Sequence, residues 1–170
     1  QGSQLSTAAA ISVTPSTTTS YVLEGTNAQG CINKDTLEIS VVPLDGGVVS
    51  TTTGSVCIGN GGVLISSSTP ASGGSSVYAY SWERSTDNIT FVQIAGQSGA
   101  SMNYNQALNT RTYFRRKTTD NGVAAYSNTV TVNVNPLPNV VANTSTRRIP
   151  PGAAVSLTGT GASTYTWTPS

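Results

Sequence analysis

An internal repeat of strand-and-turn units constrains this chain more than any other feature. The run Thr17-Thr18-Thr19-Ser20-Tyr21 leads to Gly30, and Thr110-Arg111-Thr112-Tyr113 leads to Gly122, with nine residues from tyrosine to glycine in both. Each glycine is followed by an alternating apolar strand: Leu37, Ile39 and Val41 in one copy, Val130, Val132 and Val134 in the other. Each strand then ends at Pro-Leu, at Pro43-Leu44 and at Pro136-Leu137. The copies are offset by 92 residues at tyrosine (21 to 113) and by 93 at proline (43 to 136). A second pairing covers another part of the unit. Val63-Leu64-Ile65 precedes Tyr80-Ser81-Trp82, and Val155-Ser156-Leu157 precedes Tyr165-Thr166-Trp167. The offset at tryptophan is 85 (82 to 167), because the Ser/Gly-rich stretch 66–76 has no full later counterpart. Period-two alternation argues for strands, and a long repeat argues for modules in series.

The fold class that follows is all-β: tandem immunoglobulin-like antiparallel β-sandwich modules. An immunoglobulin-type module takes roughly 100 residues, so this chain has room for one ordinary domain or about two small sandwich modules. The repeats place residues 1–43 as the C-terminal half of one module, 44–136 as a complete module, and 137–170 as the N-terminal half of the next. Pro43-Leu44 and Pro136-Leu137-Pro138 read as short, stiff linkers, since proline fixes φ. Each end piece holds half a core and is expected to need neighbouring sequence for stability.

Within 44–136, strands are expected at Val48–Thr53, Val63–Ser67, Val77–Arg84, Phe91–Ile94 and Thr129–Asn135. Ser85-Thr86-Asp87-Asn88 and Asp120-Asn121-Gly122 read as hairpin turns, where Asn, Asp and Gly tolerate left-handed backbone. Tyr78, Tyr80 and Trp82 share one strand face, which makes Trp82 the expected centre of the core. Tyr21, Tyr113 and Trp167 are the corresponding core residues expected elsewhere. Leu108 and Tyr113 resemble the corner at which an immunoglobulin-type strand begins with a buried tyrosine.

Composition removes several functions. Eight basic against seven acidic residues give a net charge of +1, so no global field recruits nucleic acid or anionic membrane. No apolar run is long enough to cross a bilayer, and no segment from Gln1 onward has the charged and apolar regions of a signal peptide. Any export signal is expected to lie outside the sequence or to have been removed. Histidine is absent, which takes away the usual general base and zinc ligand together. No nucleophile has a histidine to activate it, so the chain reads as a non-enzyme with no cofactor and no metal.

Several of these runs, taken together, carry a resemblance. Tyr80-Ser81-Trp82-Glu83-Arg84-Ser85-Thr86-Asp87-Asn88-Ile89-Thr90-Phe91, then Ile94-Ala95-Gly96, Thr110 to Arg116 and Tyr126-Ser127-Asn128-Thr129-Val130 are similar to Ig-like repeats of large Bacteroidetes surface proteins. The flanks resemble a sister repeat, with Gly30-Cys31 at one end and Ile149-Pro150-Pro151-Gly152 at the other. Such proteins include gliding-motility adhesins and other cell-surface filaments exported by type IX secretion. The resemblance implies a secreted, cell-surface location and a structural or adhesive role. Its partners would be neighbouring repeat modules, with surface polysaccharide or the secretion and motility machinery as further candidates. It also implies an O-glycosylation acceptor at Thr36, in Asp35-Thr36-Leu37. One departure stands out: related repeats often pair an early with a late cysteine, and here the complete module has Cys57 but Val123 after Gly122.

Four of the eight basic residues, Arg111, Arg115, Arg116 and Lys117, form a candidate ligand-contact patch. The plainer alternative is a charged strand face that discourages edge pairing. Cys31 and Cys57 could bridge modules, although the strand reading favours free, buried thiols. Asp87-Asn88 and Asp120-Asn121 could join calcium sites but fit turn chemistry better. Lys34 and Lys117 leave room for an isopeptide crosslink without a matching acidic partner. A second functional reading is a non-catalytic, carbohydrate-binding accessory module of a secreted hydrolase, for which Tyr104 and Tyr126 would be the surface platforms.

Overall fold

Alternation of valine, threonine and aromatic residues between glycine- and asparagine-rich turns produces strands throughout. The structure, a computed structural model, describes residues 4–169, so the first three residues of the 1–43 segment and Ser170 lie outside the described residues. Among the described residues there are thirteen strands and no helix.

The central region is a β-sandwich. Its smaller sheet has the order β3 (Val48–Thr51), β5 (Val63–Thr69), β8 (Met102–Tyr104). Its larger sheet runs β4 (Ser55–Cys57), β11 (Val130–Asn135), β9 (Thr112–Asp120), β6 (Ala79–Ser85), β7 (Val92–Ile94). β10 (Val123–Tyr126) pairs with the far end of β9, on the side that β11 takes nearer its start. All pairings are antiparallel except β4 with β11, which is parallel. Ser127 links β10 to β11 across a break: its amide donates to the Arg116 carbonyl at 3.0 Å, and its hydroxyl accepts from the Arg116 amide at 2.9 Å.

The two sheets meet in one core. Val49, Val63, Ile65, Met102 and Tyr104 come from the smaller sheet and Trp82, Ile94, Phe114, Val130 and Val132 from the larger, with Leu108 closing one end. Trp82 is fully buried and donates its indole N–H to the Gly99 carbonyl at 2.9 Å, so its one polar atom is satisfied. The turns follow their chemistry. Asn121 and Gly122 both have positive φ, 47° and 81°, and Asp120 pairs directly with Val123, which makes a two-residue hairpin.

On either side lies a two-stranded sheet. β1 (Thr19–Thr26) pairs with β2 (Ile32–Ile39), and β12 (Val141–Thr144) with β13 (Leu157–Thr160), both antiparallel. No second sheet covers them among the described residues, and Val22, Leu23, Leu37 and Leu157 are exposed.

Three expected core positions are corrected. Trp167 is 51% exposed, because no second sheet covers β12 and β13 among the described residues. Tyr21 is only half-buried on β1. Tyr113 is half-buried on the outer face, and Phe114 points inward in its place. The strand reading also lacked β4, β8 and β10.

Candidate functional site

Strand β9 carries the candidate patch, and its alternation decides what that patch can do. Thr112, Phe114, Arg116, Thr118 and Asp120 are buried, while Tyr113, Arg115, Lys117 and Thr119 are half-buried on the outer face. The four basic residues therefore do not form one surface. β9 is also an interior strand, flanked by β6 on one side and by β10 and β11 on the other, so its charges do not guard an edge.

Arg116 enters the sandwich and is fully buried. One terminal nitrogen donates to Ser67 Oγ and to the Ala100 carbonyl, both at 2.8 Å. The other donates to the Gly46 carbonyl at 2.8 Å and reaches the Thr69 carbonyl at 3.5 Å. The guanidinium carbon lies 4.9 Å from the centroid of the Tyr80 ring. No carboxylate balances the charge among these contacts, and Nε has no hydrogen-bond partner. Burial lowers its pKa from the ordinary arginine value, with Tyr80 opposing the shift. A buried cation is tolerated only when hydrogen-bonded, and here backbone oxygens from several segments supply the bonds. Arg116 is a structural tie.

Arg115 points outward but is occupied. Its Nε and a terminal nitrogen both reach Glu83 Oε2, at 2.8 and 2.7 Å. Its guanidinium carbon lies 3.8 Å from the Phe91 centroid and 4.1 Å from that of Tyr126, so a ring covers each planar face. Each such stack is worth about 0.5–2 kcal/mol. Arg111, exposed, donates from Nε to Asn133 Oδ1 at 2.9 Å. Lys117 is half-buried and makes no ion pair among the described residues. Arg111 and Lys117 are the remaining outward cations, separated by six residues or roughly 20 Å of strand.

The other candidates are placed as follows. Tyr104 is buried, with its hydroxyl between Arg84 (2.6 Å) and Gln106 (3.1 Å), so it is no surface platform. Tyr126 is exposed and stacked on Arg115. Thr36 is exposed on β2 opposite Val22. Cys31 and Cys57 are free and exposed rather than buried. Lys34 pairs with Glu24 at 2.7 Å across β1 and β2.

Both acidic turns engage carboxylate oxygens in hydrogen bonds within the protein. Asp87 Oδ1 accepts from the amides of Ile89 (2.8 Å) and Thr90 (2.7 Å) and from the Ser85 hydroxyl (2.6 Å). The Ser85 hydroxyl and then those two amides hold its carboxyl far below the usual carboxylate range. Asp120 is buried and accepts from the Ser75 amide and hydroxyl, both at 2.5 Å. Among the described residues no three His, Cys, Asp or Glu side chains are grouped to hold a metal ion.

That β9 buries some of this charge could have been read from the sequence. Arg115, Arg116 and Lys117 are consecutive, and neighbouring residues of a strand point to opposite faces. A strand buried on one face must then bring at least one of these charges inside.

The sequence profile of a domain of unknown function, DUF8696, matches residues 45–136. The chain belongs to the DUF8696 family. The match spans the central sandwich from just before β3 to the end of β11. It begins one residue after the boundary expected from the repeat and ends at the same residue. No curated protein matches the sequence. Within the DUF8696 domain, the buried polar residues are the tie at Arg116, the Asp120 clasp and hydroxyls such as Ser85, Thr112 and Thr118.

Proposed function

We propose that the chain is a run of tandem immunoglobulin-like modules, serving as a structural and adhesive segment of a secreted cell-surface filament. The central DUF8696 sandwich is the complete module, and the 1–43 and 137–170 segments are halves of its neighbours. The observation that carries this reading is the sequence repeat, with β12 and β13 paired antiparallel as β3 and β5 are. The flanking strand pairs expose residues whose repeat counterparts the sandwich buries: Trp167 is 51% exposed and Trp82 is 0% exposed. Strand order also supports it, since β11, β9 and β6 lie side by side opposite β3 and β5, as strands G, F and C lie opposite A and B in an immunoglobulin-type domain.

The work of such a segment is mechanical and non-catalytic. Each module contacts its neighbours, ladders of backbone hydrogen bonds resist extension, and the row carries a binding tip away from the cell. A gliding-motility or attachment adhesin exported by type IX secretion fits this description. The carbohydrate-binding accessory reading is weaker, because Tyr104 is buried and the Phe91 and Tyr126 rings are already stacked on Arg115. An antibody against residues 44–136, applied to live source cells, tests the proposal. Label at the cell surface supports it, and label that travels there identifies a motile adhesin. Signal confined to the medium refutes the filament and favours the accessory module.

A further inference from the structure

The stretch before the sandwich runs against it rather than away from it. The Gly74 amide donates to the Val42 carbonyl at 3.0 Å. Asp45 and Ser72 form an isolated antiparallel bridge, amide to carbonyl in both directions, at 2.8 and 3.1 Å. Gly73, at φ 81°, faces Pro43 so closely that a Cβ would overlap the Pro43 carbonyl oxygen. The 70–76 loop is itself held from behind, since Ser75 donates twice to the buried Asp120 and the Tyr78 hydroxyl donates to the Gly73 carbonyl at 2.8 Å. Beyond Asp45, the Gly46 carbonyl is tied to Arg116.

We propose that the 70–76 loop is a docking site for the Val42-Pro43-Leu44 linker that leads in from the preceding module. The joint between modules is then set by backbone hydrogen bonds and is not a free hinge. The partner it fits is an extended backbone with proline at its centre: proline donates no hydrogen bond, and the residue before it is biased to extended conformations. A side chain at Gly73 would both strain the loop and push the tail out. The next joint carries a similar contact. Gly161, at φ 88° directly after β13, faces the carbonyl of Asn139, just past Pro136-Leu137-Pro138. Two joints thus use a left-handed glycine, set after the second strand of a pair, to admit a linker carbonyl.

This inference rests on the tandem-module reading, and amide hydrogen exchange on the full chain tests it separately. In the unmodified chain the amides of Asp45, Ser72 and Gly74 are expected to exchange at least tenfold more slowly than those of an unstructured peptide. Gly73→Ala is expected to remove at least tenfold of that protection at Gly74 and Asp45 while the Trp82 amide keeps its own. If Gly73→Ala also exposes Trp82, Ser75→Ala decides: loss confined to the joint supports the docking site, and unchanged exchange overturns it. Free exchange at Gly74 and Asp45 in the unmodified chain, or protection indifferent to Gly73→Ala, also overturns it. Those results would leave an array of flexibly linked modules standing, which only the cell-labelling experiment addresses.

Discussion

Trp82 and Trp167 occupy equivalent places in the repeat, yet one is wholly buried and the other half exposed. Their strands differ in the same way, with Val63 and Ile65 at 0% exposure and Leu157 at 52%. Local sequence is enough to pair two strands in both regions, since β12 and β13 form a ladder as regular as that of β3 and β5. Burial needs a second sheet opposite the first. The central region has one, and the flanks have none among the described residues. Strand pattern therefore determines where sheets form, while stability comes from the face-to-face packing that 44–136 alone contains among the described residues.

The sharpest way to break this comparison is to separate the regions. Residues 44–136 alone are expected to give near-ultraviolet circular dichroism of a packed tryptophan and one cooperative thermal transition. A peptide of residues 137–169 is expected to give a coil spectrum, because an isolated two-stranded hairpin is marginal in water. A coil-like 44–136, or a sheet-rich peptide, would overturn the account.

The tryptophans sharpen it next. Trp82→Ala removes the largest buried side chain and is expected to cost about 3–5 kcal/mol, enough to unfold a domain of ordinary stability. Trp167→Ala, measured by the same chemical denaturation of the central transition, is expected to change it by less than about 0.5 kcal/mol. Equal effects would mean that the flank packs on the sandwich.

Much of the sandwich was legible in the sequence, and the misses have physical causes. Long strands such as β5, β6 and β11 carry enough alternation to reveal both their existence and their inward face. β4 and β8 have three residues each, too few to show a period. β10 reads Val-Ala-Ala-Tyr, and alanine has little preference for strands. These short strands are fixed by the hydrogen bonds of their neighbours. On β9 the strand was legible but its face was not: matching Tyr113 to Tyr21 put the wrong parity inside, which also sent Arg116 to the surface. The candidate patch dissolved on that one-residue question. The linker's contacts with the 70–76 loop were not legible, because they are bonds between backbone atoms of residues about 30 apart, read from φ and not from side chains.

Arg116 and Arg111 make a smaller contrast of the same kind. Arg116→Ala would leave the Gly46 and Ala100 carbonyls without their donors and open a cavity, at about 2–4 kcal/mol. Arg111→Ala loses one exposed hydrogen bond and is expected to stay within about 0.5 kcal/mol. Thermal denaturation of both variants measures the difference. A mild Arg116→Ala, with Arg111→Ala the more damaging, would return the cationic cluster to the surface.

The smallest effect lies in the Ser85–Thr90 turn and depends on pH. The Asp87 carboxyl is held below its ordinary value of 3.8 because its charged form accepts the Ser85 hydroxyl and the Ile89 and Thr90 amides. A carboxyl with a depressed folded-state pKa stabilises the fold above the unfolded value, and that contribution is lost as pH falls through the folded one. Asp87→Asn should therefore lower the thermal midpoint of the sandwich slightly at pH 7. The gap between variant and unmodified chain should narrow below pH 3.8, as the unfolded state takes up its proton. A gap that is constant from pH 7 to pH 2 would assign the effect to turn geometry, since asparagine also favours this turn, and would remove the carboxylate's charge as its cause.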